Sequence, residues 1–390
     1  LQPTDPVLKV AYVIGQLGLG GSERQLFKKM VHLRDLGLEM VVIAMAEGGE
    51  LEADFERENF TVYRLRRSHN LEIRRVFQLA SILRKERPHI VHGDQYGAGG
   101  YARVAGILAG VPYSVLEILS SYPVVRRRYR WAETFLGPRT TAYLVNAEAV
   151  KRRTIEHHGM AADKVHVILN VYDPPRTESR SREEMRRELR ISEQTLVVGI
   201  VASFDAEKNH SLFLRFAREV LQHRTDIVFL CIGDGSERAD REAEAAEYGI
   251  TQYVRFLGMR RDVNDLLGVL DVSVNCSIRE GLCNAIIESI AAGIPILASQ
   301  VGGTPEIVED RRHGILFASG NVTEMTNGFL EMTEDLPAYR ARIAAYLPSF
   351  LSSLSADRIA PQQYEFYRGL VEPGQSAPPI EQQILPTQGT

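Results

Sequence analysis

Short apolar runs rich in β-branched residues recur along this chain, each ended by glycine or a small polar loop and each followed by a helix-period pattern. Residues 8–14, 40–45, 61–65, 89–94, 115–117, 141–146 and 165–169 read as one series of strands. Residues 196–202, 227–232, 253–257, 270–274 and 296–299 restart it. Runs this short and apolar suit strands buried on both faces of a parallel sheet, with the intervening helices as crossovers. The expectation is an α/β chain of two parallel-sheet domains, and 390 residues at 44% hydrophobic are enough for two cores. The polar, proline-bearing stretch 170–182 reads as the linker, giving domains 1–170 and 171–349, and the Pro- and Gln-rich residues 372–390 read as a loose tail.

A net charge of −4 gives no global reason to expect nucleic-acid binding. The charge is uneven: residues 1–170 hold 24 Lys and Arg against 18 Asp and Glu, leaving 22 against 32 for the remainder. A basic first half suggests an anionic or membrane-borne partner. Cys231, Cys276 and Cys283 lack metal-ligand spacing and read as buried thiols in a reducing compartment. No apolar run is long enough to span a bilayer and no signal-peptide pattern opens the sequence, so a cytoplasmic protein is expected.

The most informative stretch is Arg279-Glu280-Gly281-Leu282-Cys283-Asn284-Ala285-Ile286-Ile287-Glu288. It joins an apolar strand run to a helix pattern stopped by Gly293 and Pro295, so it directs backbone N–H groups toward an anion. Glu280 and Glu288 flank that point, where carboxylates would repel phosphate but accept hydrogen bonds from sugar or ribose hydroxyls. A plainer reading competes: a turn at Glu280-Gly281, a cap at Asn284 and a dipole-complementing acid at Glu288.

Other strand ends add to it. After residues 8–14 comes Gly15-Gln16-Leu17-Gly18-Leu19-Gly20-Gly21-Ser22-Glu23, in which Gly18 and Gly20 fit a dinucleotide fingerprint but Glu23 takes the place of its last glycine. A Rossmann oxidoreductase is disfavoured, although Gly20 and Gly21 still let backbone approach a ligand. His92 and Asp94 end the strand at 89–94, where a parallel sheet exposes its strand ends to ligand, or His92 is a structural histidine. Lys208, the only lysine after Lys164, reads as a phosphate ligand or a solvated turn residue. Gly233-Asp234-Gly235-Ser236 ends the strand at 227–232, Met259 and Arg260 are placed to frame a flat base, and Gly302-Gly303-Thr304-Pro305 resembles a helix start. Residues 122–131 gather four arginines and three aromatics, a surface for anionic headgroups or a solvated helix whose Arg stems cover apolar area.

The ordered set Gly20-Gly21-Ser22-Glu23, Gly110-Val111-Pro112, Lys208-Asn209, Gly233-Asp234-Gly235, Phe256-Leu257-Gly258, Glu280 to Glu288 and Gly302-Gly303-Thr304-Pro305-Glu306 resembles the family 4 retaining glycosyltransferases of the GT-B fold. That resemblance implies two Rossmann-like domains facing across a cleft, with the last helix, about 350–371, crossing back onto the first. It implies that Glu280 bonds the donor sugar, Glu288 the ribose, and Lys208 the diphosphate with help from Gly20, Gly21, Leu282, Cys283 and Asn284. Ser203 and Gly233 would line the donor site, and Leu257 and Arg260 would contact the base. Asp94 at its strand end, Glu117 and the arginines Arg126 and Arg127 are the acceptor-side candidates, with His92, Glu280 and Lys208 as the candidate catalytic set. Two departures stand out: Ser203 replaces a common arginine, and Ile118 a common acceptor-side histidine, for which His92 is the substitute.

The resemblance implies metal-independent, retaining transfer from a nucleotide-diphosphate sugar, a UDP-sugar favoured, to a glycan, lipid-linked or small-molecule acceptor. No Asp-x-Asp motif or histidine cluster suggests a metal, and no cofactor is expected. A nucleotide-sugar 2-epimerase and a catalytically silent nucleotide-sugar-binding protein remain the alternatives, and peripheral contact with the inner membrane face is expected for a lipid-linked acceptor.

Overall fold

Strand order shows best how the alternating pattern is used. The computed structural model describes residues 7–66, 72–120, 127–174 and 180–372, with backbone alone at 127–129. The chain divides into two compact units, at Asp173/Pro174 and again at Ser353/Leu354.

Unit one contains β1 (Lys9–Ile14), α1 (Gly21–Asp35), β2 (Glu39–Ala44), α2 (Glu52–Arg57), β3 (Thr61–Arg64), α3 (Ile73–Glu86) and β4 (Ile90–Asp94). It continues with α4 (Gln95–Ala109), β5 (Tyr113–Ile118), α5 (Arg127–Leu136), β6 (Ala142–Val145), α6 (Glu148–His158) and β7 (Val165–Val167). The seven strands form one parallel sheet in the order β3-β2-β1-β4-β5-β6-β7. Period-two alternation sorts its faces. Ala11, Val13 and Val91 pack with Leu79, Leu83, Ala98 and Ala102 of α3 and α4 in an apolar core. Tyr12, His92 and Asp94 fall on the other face, and Glu117 is the register partner of Asp94.

Unit two contains α7 (Arg182–Glu188), β8 (Leu196–Val201), α8 (His210–Val220), β9 (Ile227–Ile232), α9 (Arg238–Glu247), β10 (Val254–Gly258) and α10 (Val263–Leu267). It closes with β11 (Val272–Asn275), α11 (Asn284–Ala291), β12 (Ile296–Ser299), α12 (Thr304–Ile307), β13 (Gly314–Phe317), α13 (Val322–Glu334) and α14 (Leu336–Ser353). Its six-stranded parallel sheet has the order β10-β9-β8-β11-β12-β13. One face packs under α8 and α13, with Phe213, Phe216, Phe229 and Phe329 at its centre, and the other under Met185 of α7 and Leu266 of α10.

The last helix, α15 (Ala356–Val371), belongs to unit one. Residues 350–353, which the sequence assigned to that returning segment, instead end α14 in unit two. Pro337 sits in the first turn of α14, where a missing N–H costs little, and Asp335 separates that helix from α13. The tail at 373–390 lies outside the described residues.

In each sheet the strand order reverses direction once, between β1 and β4 and between β8 and β11. Open parallel sheets bind ligands outside the carboxyl ends of the strands at such a point. The loops there are 15–20 and Asp94 in unit one, and 202–209 and 276–283 in unit two.

Candidate active site

In unit two the loops after β8 and β11 are joined. The Ile278 amide donates to the Glu207 carbonyl at 2.9 Å, and Arg279 pairs with Glu207. A single 3₁₀ turn, Ala206–Lys208, then puts Lys208 against the second loop. Its Nζ lies 2.6 Å from Glu280 Oε1. Asn209 follows in the left-handed region at φ 52° and caps α8 through Leu212 N, which fixes where the loop ends.

Glu280 is buried, yet its carboxylate stays ionised. Burial pushes its pKa upward, but the Lys208 charge and hydrogen bonds from Lys208, Ser277 and Asn275 outweigh that and hold it below the usual glutamate range. Burial likewise opposes the charge on Lys208, and Glu280 outweighs it, raising the lysine above its ordinary value. The Glu280 backbone is clamped by the turn at Gly302, whose φ is 52° and where a Cβ would lie 1.9 Å from the Glu280 carbonyl oxygen. The Gly303 amide adds a bond to the Gly281 carbonyl at 3.0 Å.

Helix α11 starts at Asn284 with Cys283 at its N-cap and no side-chain cap. Burial first, then the Glu280 charge, pushes the Cys283 thiol up to about 12, so it is no thiolate nucleophile at neutral pH. Leu282 and Cys283 are buried, and Asn284 and Glu288 are half-buried on α11, one turn apart. Gly233 follows β9 at φ 142°, where a Cβ would strike the Ala202 carbonyl oxygen at 2.0 Å; its amide donates to the Gly258 carbonyl at 3.0 Å. These contacts gather the ends of β8, β9 and β10, with Leu257 half-buried beside them.

Two expected donor-site residues pair with neighbouring acids. The Ser203 hydroxyl donates to Asp205 at 2.6 Å. Arg260 is held by Asp262, at 2.6 and 2.7 Å, and by Glu188 at the end of α7 at 3.3 Å, so two carboxylates balance its charge.

Unit one carries a second polar cluster at its own switch point. Glu117 accepts from the Tyr12 hydroxyl and from Lys29 Nζ at 3.2 Å, with His92 Nε2 at 3.6 Å. His92 Nδ1 meets the Tyr367 hydroxyl at 2.6 Å, and Gln363 Nε2 donates to that hydroxyl at 2.8 Å. With the Tyr367 oxygen accepting from Gln363, its proton faces Nδ1 and leaves the imidazole hydrogen on Nε2. His92 has no exposed surface, and burial lowers its pKa to about 4. The expected acceptor-side role for His92 is therefore replaced by a place inside the sheet face covered by α1 and α15: a side chain sealed in this way does not meet a substrate.

Asp94, at the end of β4, is also buried, and its Oδ1 has no hydrogen-bond partner among the described residues. Burial, then the charges of Glu117 and Glu23, push its pKa well above the usual aspartate value. Glu23 is drawn under the glycine loop, since a Cβ on Gly20 would come within 2.3 Å of its Oε2; Gly21 begins α1. Arg126 lies outside the described residues, and of Arg127 only the backbone at the start of α5 is described.

Sequence reading missed the supporting residues. Asn275, Ser277 and Ser299 are buried polar side chains at the ends of apolar strands, a signal that was present. Lys29 stands among apolar positions of α1 and Tyr367 on the helix expected to return to the first domain; only spatial proximity reveals their part.

Among the described residues no group of three His, Cys, Asp or Glu side chains could hold a metal ion, and no helix is long and apolar enough to cross a membrane. All three cysteines are free and buried.

Two parallel α/β units, each with its polar residues at a switch point, define the GT-B class of fold. Comparison with known proteins gives the family. Residues 19–176 match the model for Glycosyltransferase Family 4, and residues 181–347 that for Glycosyl transferases group 1. The chain belongs to the family 4 GT-B glycosyltransferases. It is similar to the UDP-Gal:alpha-D-GlcNAc-diphosphoundecaprenol alpha-1,3-galactosyltransferase of Escherichia coli, at 24% identity over 86% of this chain and 90% of that protein. The Vi polysaccharide biosynthesis protein VipC/TviE of Salmonella typhi is 27% identical over 64% of this chain, but the match spans only 45% of that protein's length. The crystal structure of Anabaena HepE in complex with UDP and glucose superposes with a TM-score of 0.79 at 19% identity, covering 92% of this chain and 98% of that one.

Proposed function

We propose that the protein transfers a sugar from a nucleotide-diphosphate sugar, a UDP-sugar by preference, to a glycan, lipid-linked or small-molecule acceptor, with retention at the anomeric carbon and without a metal. The observation that carries this reading is the Lys208–Glu280 pair at 2.6 Å, set at the β8/β11 switch point beside the start of α11. Departure of a nucleoside diphosphate requires cationic and N–H stabilisation of the leaving oxygens. Lys208 is the cation there, and the amides at the start of α11 are the dipolar partners. Glu280, ionised and aimed at the same place, accepts from hydroxyls of the donor sugar, and Glu288, one turn along α11, from the ribose. The departing phosphate oxygen takes the acceptor proton, so no strong base is required.

The UDP in the Anabaena structure and the UDP-Gal and lipid diphosphate in the Escherichia coli enzyme's name support a UDP-sugar and a lipid-linked acceptor. On α5, Trp131 is 72% exposed and lies 5.2 Å from exposed Phe135, which supports peripheral contact with the membrane carrying such an acceptor. A thermal-shift panel of UDP-, GDP-, ADP- and dTDP-sugars tests the donor, because a ligand bound by the folded state raises Tm by mass action. Transfer is expected to persist in excess EDTA and to vanish in Lys208→Ala and Glu288→Ala variants that still fold. Full activity in either variant, or epimerised donor formed without acceptor, contradicts the reading.

A further inference from the structure

Glu280 does not offer its two carboxylate oxygens alike. Oε1 takes three donors: Lys208 Nζ at 2.6 Å, Ser277 Oγ at 2.6 Å and Asn275 Nδ2 at 3.3 Å. No hydrogen bond among the described residues reaches Oε2, and that oxygen is not one of the atoms sealed from solvent. One oxygen is saturated and the other presented.

Two of the donors on Oε1, Ser277 and Asn275, are themselves fixed. The Ser277 amide donates to Asn275 Oδ1 at 3.2 Å, and Ser299 Oγ donates to the Ser277 carbonyl at 2.6 Å. All three side chains are buried. With the Glu280 backbone clamped by Gly302, neither its main chain nor its carboxylate is free to swing. Lys208 is the adaptable member of the pair, at 27% side-chain exposure and on a flexible stem.

We propose that Ser277 and Asn275 are positioning residues that lock the Glu280 carboxylate beside Lys208, so that the site favours a nucleotide sugar over the bare nucleoside diphosphate left after transfer. This rests on the donor reading above. A diphosphate that approaches Lys208 meets a carboxylate unable to retreat, and like charges in a buried site repel strongly. The terminal phosphate of a free nucleoside diphosphate ionises a second time near neutral pH and is repelled most, whereas the sugar ester lacks that ionisation. The ester also carries hydroxyls that donate to Oε2. The locked carboxylate therefore rewards the intact donor and helps expel the product.

Isothermal titration of the full chain with UDP, GDP, ADP and dTDP and with their glucose esters tests this, using the base that binds best. In Glu280→Gln, which keeps the shape and removes the charge, the nucleoside diphosphate is expected to bind about tenfold tighter while the glucose ester gains nothing. Ser277→Ala and Asn275→Ser, which unlock the carboxylate, are expected to move the ratio of the two affinities the same way by a smaller factor. Tm measured alongside identifies any variant that fails to fold, and the near-isosteric Glu280→Gln then decides alone. A ratio within twofold of wild type in Glu280→Gln overturns the proposal while leaving the donor reading intact. Absence of binding by any of these compounds to the wild type overturns both.

Discussion

The hydroxyl of Tyr367 lies 2.6 Å from Nδ1 of His92, although 275 residues separate them in the chain. This bond ties the final helix to the strand at the centre of the first sheet. In Tyr367→Phe, a buried imidazole nitrogen and the Gln363 amide lose their partner, which costs about 1–3 kcal/mol. Urea unfolding is expected to show that loss with an unchanged m-value.

The same histidine sets an acid limit. Its pKa is depressed from 6.5 to about 4 by burial, so between those values the unfolded chain binds a proton that the folded chain refuses. Stability attributable to His92 is complete above 6.5, falls as pH drops toward 4 and is constant below, a total of about 3 kcal/mol. His92→Asn should flatten this part of the profile, seen as the difference from wild type in urea midpoints at pH 7 and pH 4.5.

Asp94 behaves in the opposite sense. Its folded pKa is raised, by burial and then by Glu117 and Glu23, so its neutral form is favoured and its contribution is complete below 3.8 and lost as pH rises through the folded value. Asp94→Asn is expected to raise Tm at pH 7.5, with the difference vanishing near pH 3.8. If Asp94 serves the acceptor, the same variant loses transfer while gaining stability, the trade common at functional sites.

Lys208→Ala leaves a buried carboxylate without its cation. After allowance for the partial exposure of the lysine, the expected destabilisation is about 1–2 kcal/mol, with transfer down at least about a hundredfold. Glu280, held below its ordinary 4.5, contributes stability above that value and loses it as pH falls through the folded pKa; Lys208, held above 10.5, contributes below that value and loses it as pH rises beyond. A Glu280→Gln profile should therefore differ from wild type by a constant between about pH 5 and pH 10 and converge outside that window.

Two glycines should respond differently to alanine. At Gly302 the added Cβ meets backbone at 1.9 Å in a left-handed conformation, whereas at Gly20 it meets the far end of the Glu23 side chain, which can move. Gly302→Ala is expected to cost at least about 2 kcal/mol and to abolish nucleotide binding. Gly20→Ala should keep its Tm within a few degrees. Differential scanning calorimetry with a nucleotide titration separates the two.

Much of this architecture was legible because its cause is local. Buried parallel strands require unbroken apolar runs, and the runs at 196–202 and 227–232 coincide closely with β8 and β9. Lys208 and Glu280 stood out because a lone lysine and an acid beside a helix start break the surrounding pattern. That they pair with each other, 72 residues apart, was not legible, because it depends on how two loops meet at a reversal of strand order. The pairing of Arg260 with Glu188 was hidden for the same reason: 72 residues separate them, whereas Asp262, two residues on, is a local partner. The burial of His92 likewise depends on α15, whose amphipathic sequence says which face it hides but not what it hides against.

The return of α15 to unit one also bears on how the polypeptide is made. The described residues of unit two are all out once Ser353 has left the ribosome, but unit one lacks the hydroxyl of Tyr367 until α15 emerges. Of the two units, the one translated earlier is thus the later to be completed, and while unit two is being made His92 and Glu117 await the cover of α15, a stretch of time in which chaperone capture or proteolysis would act on unit one before unit two.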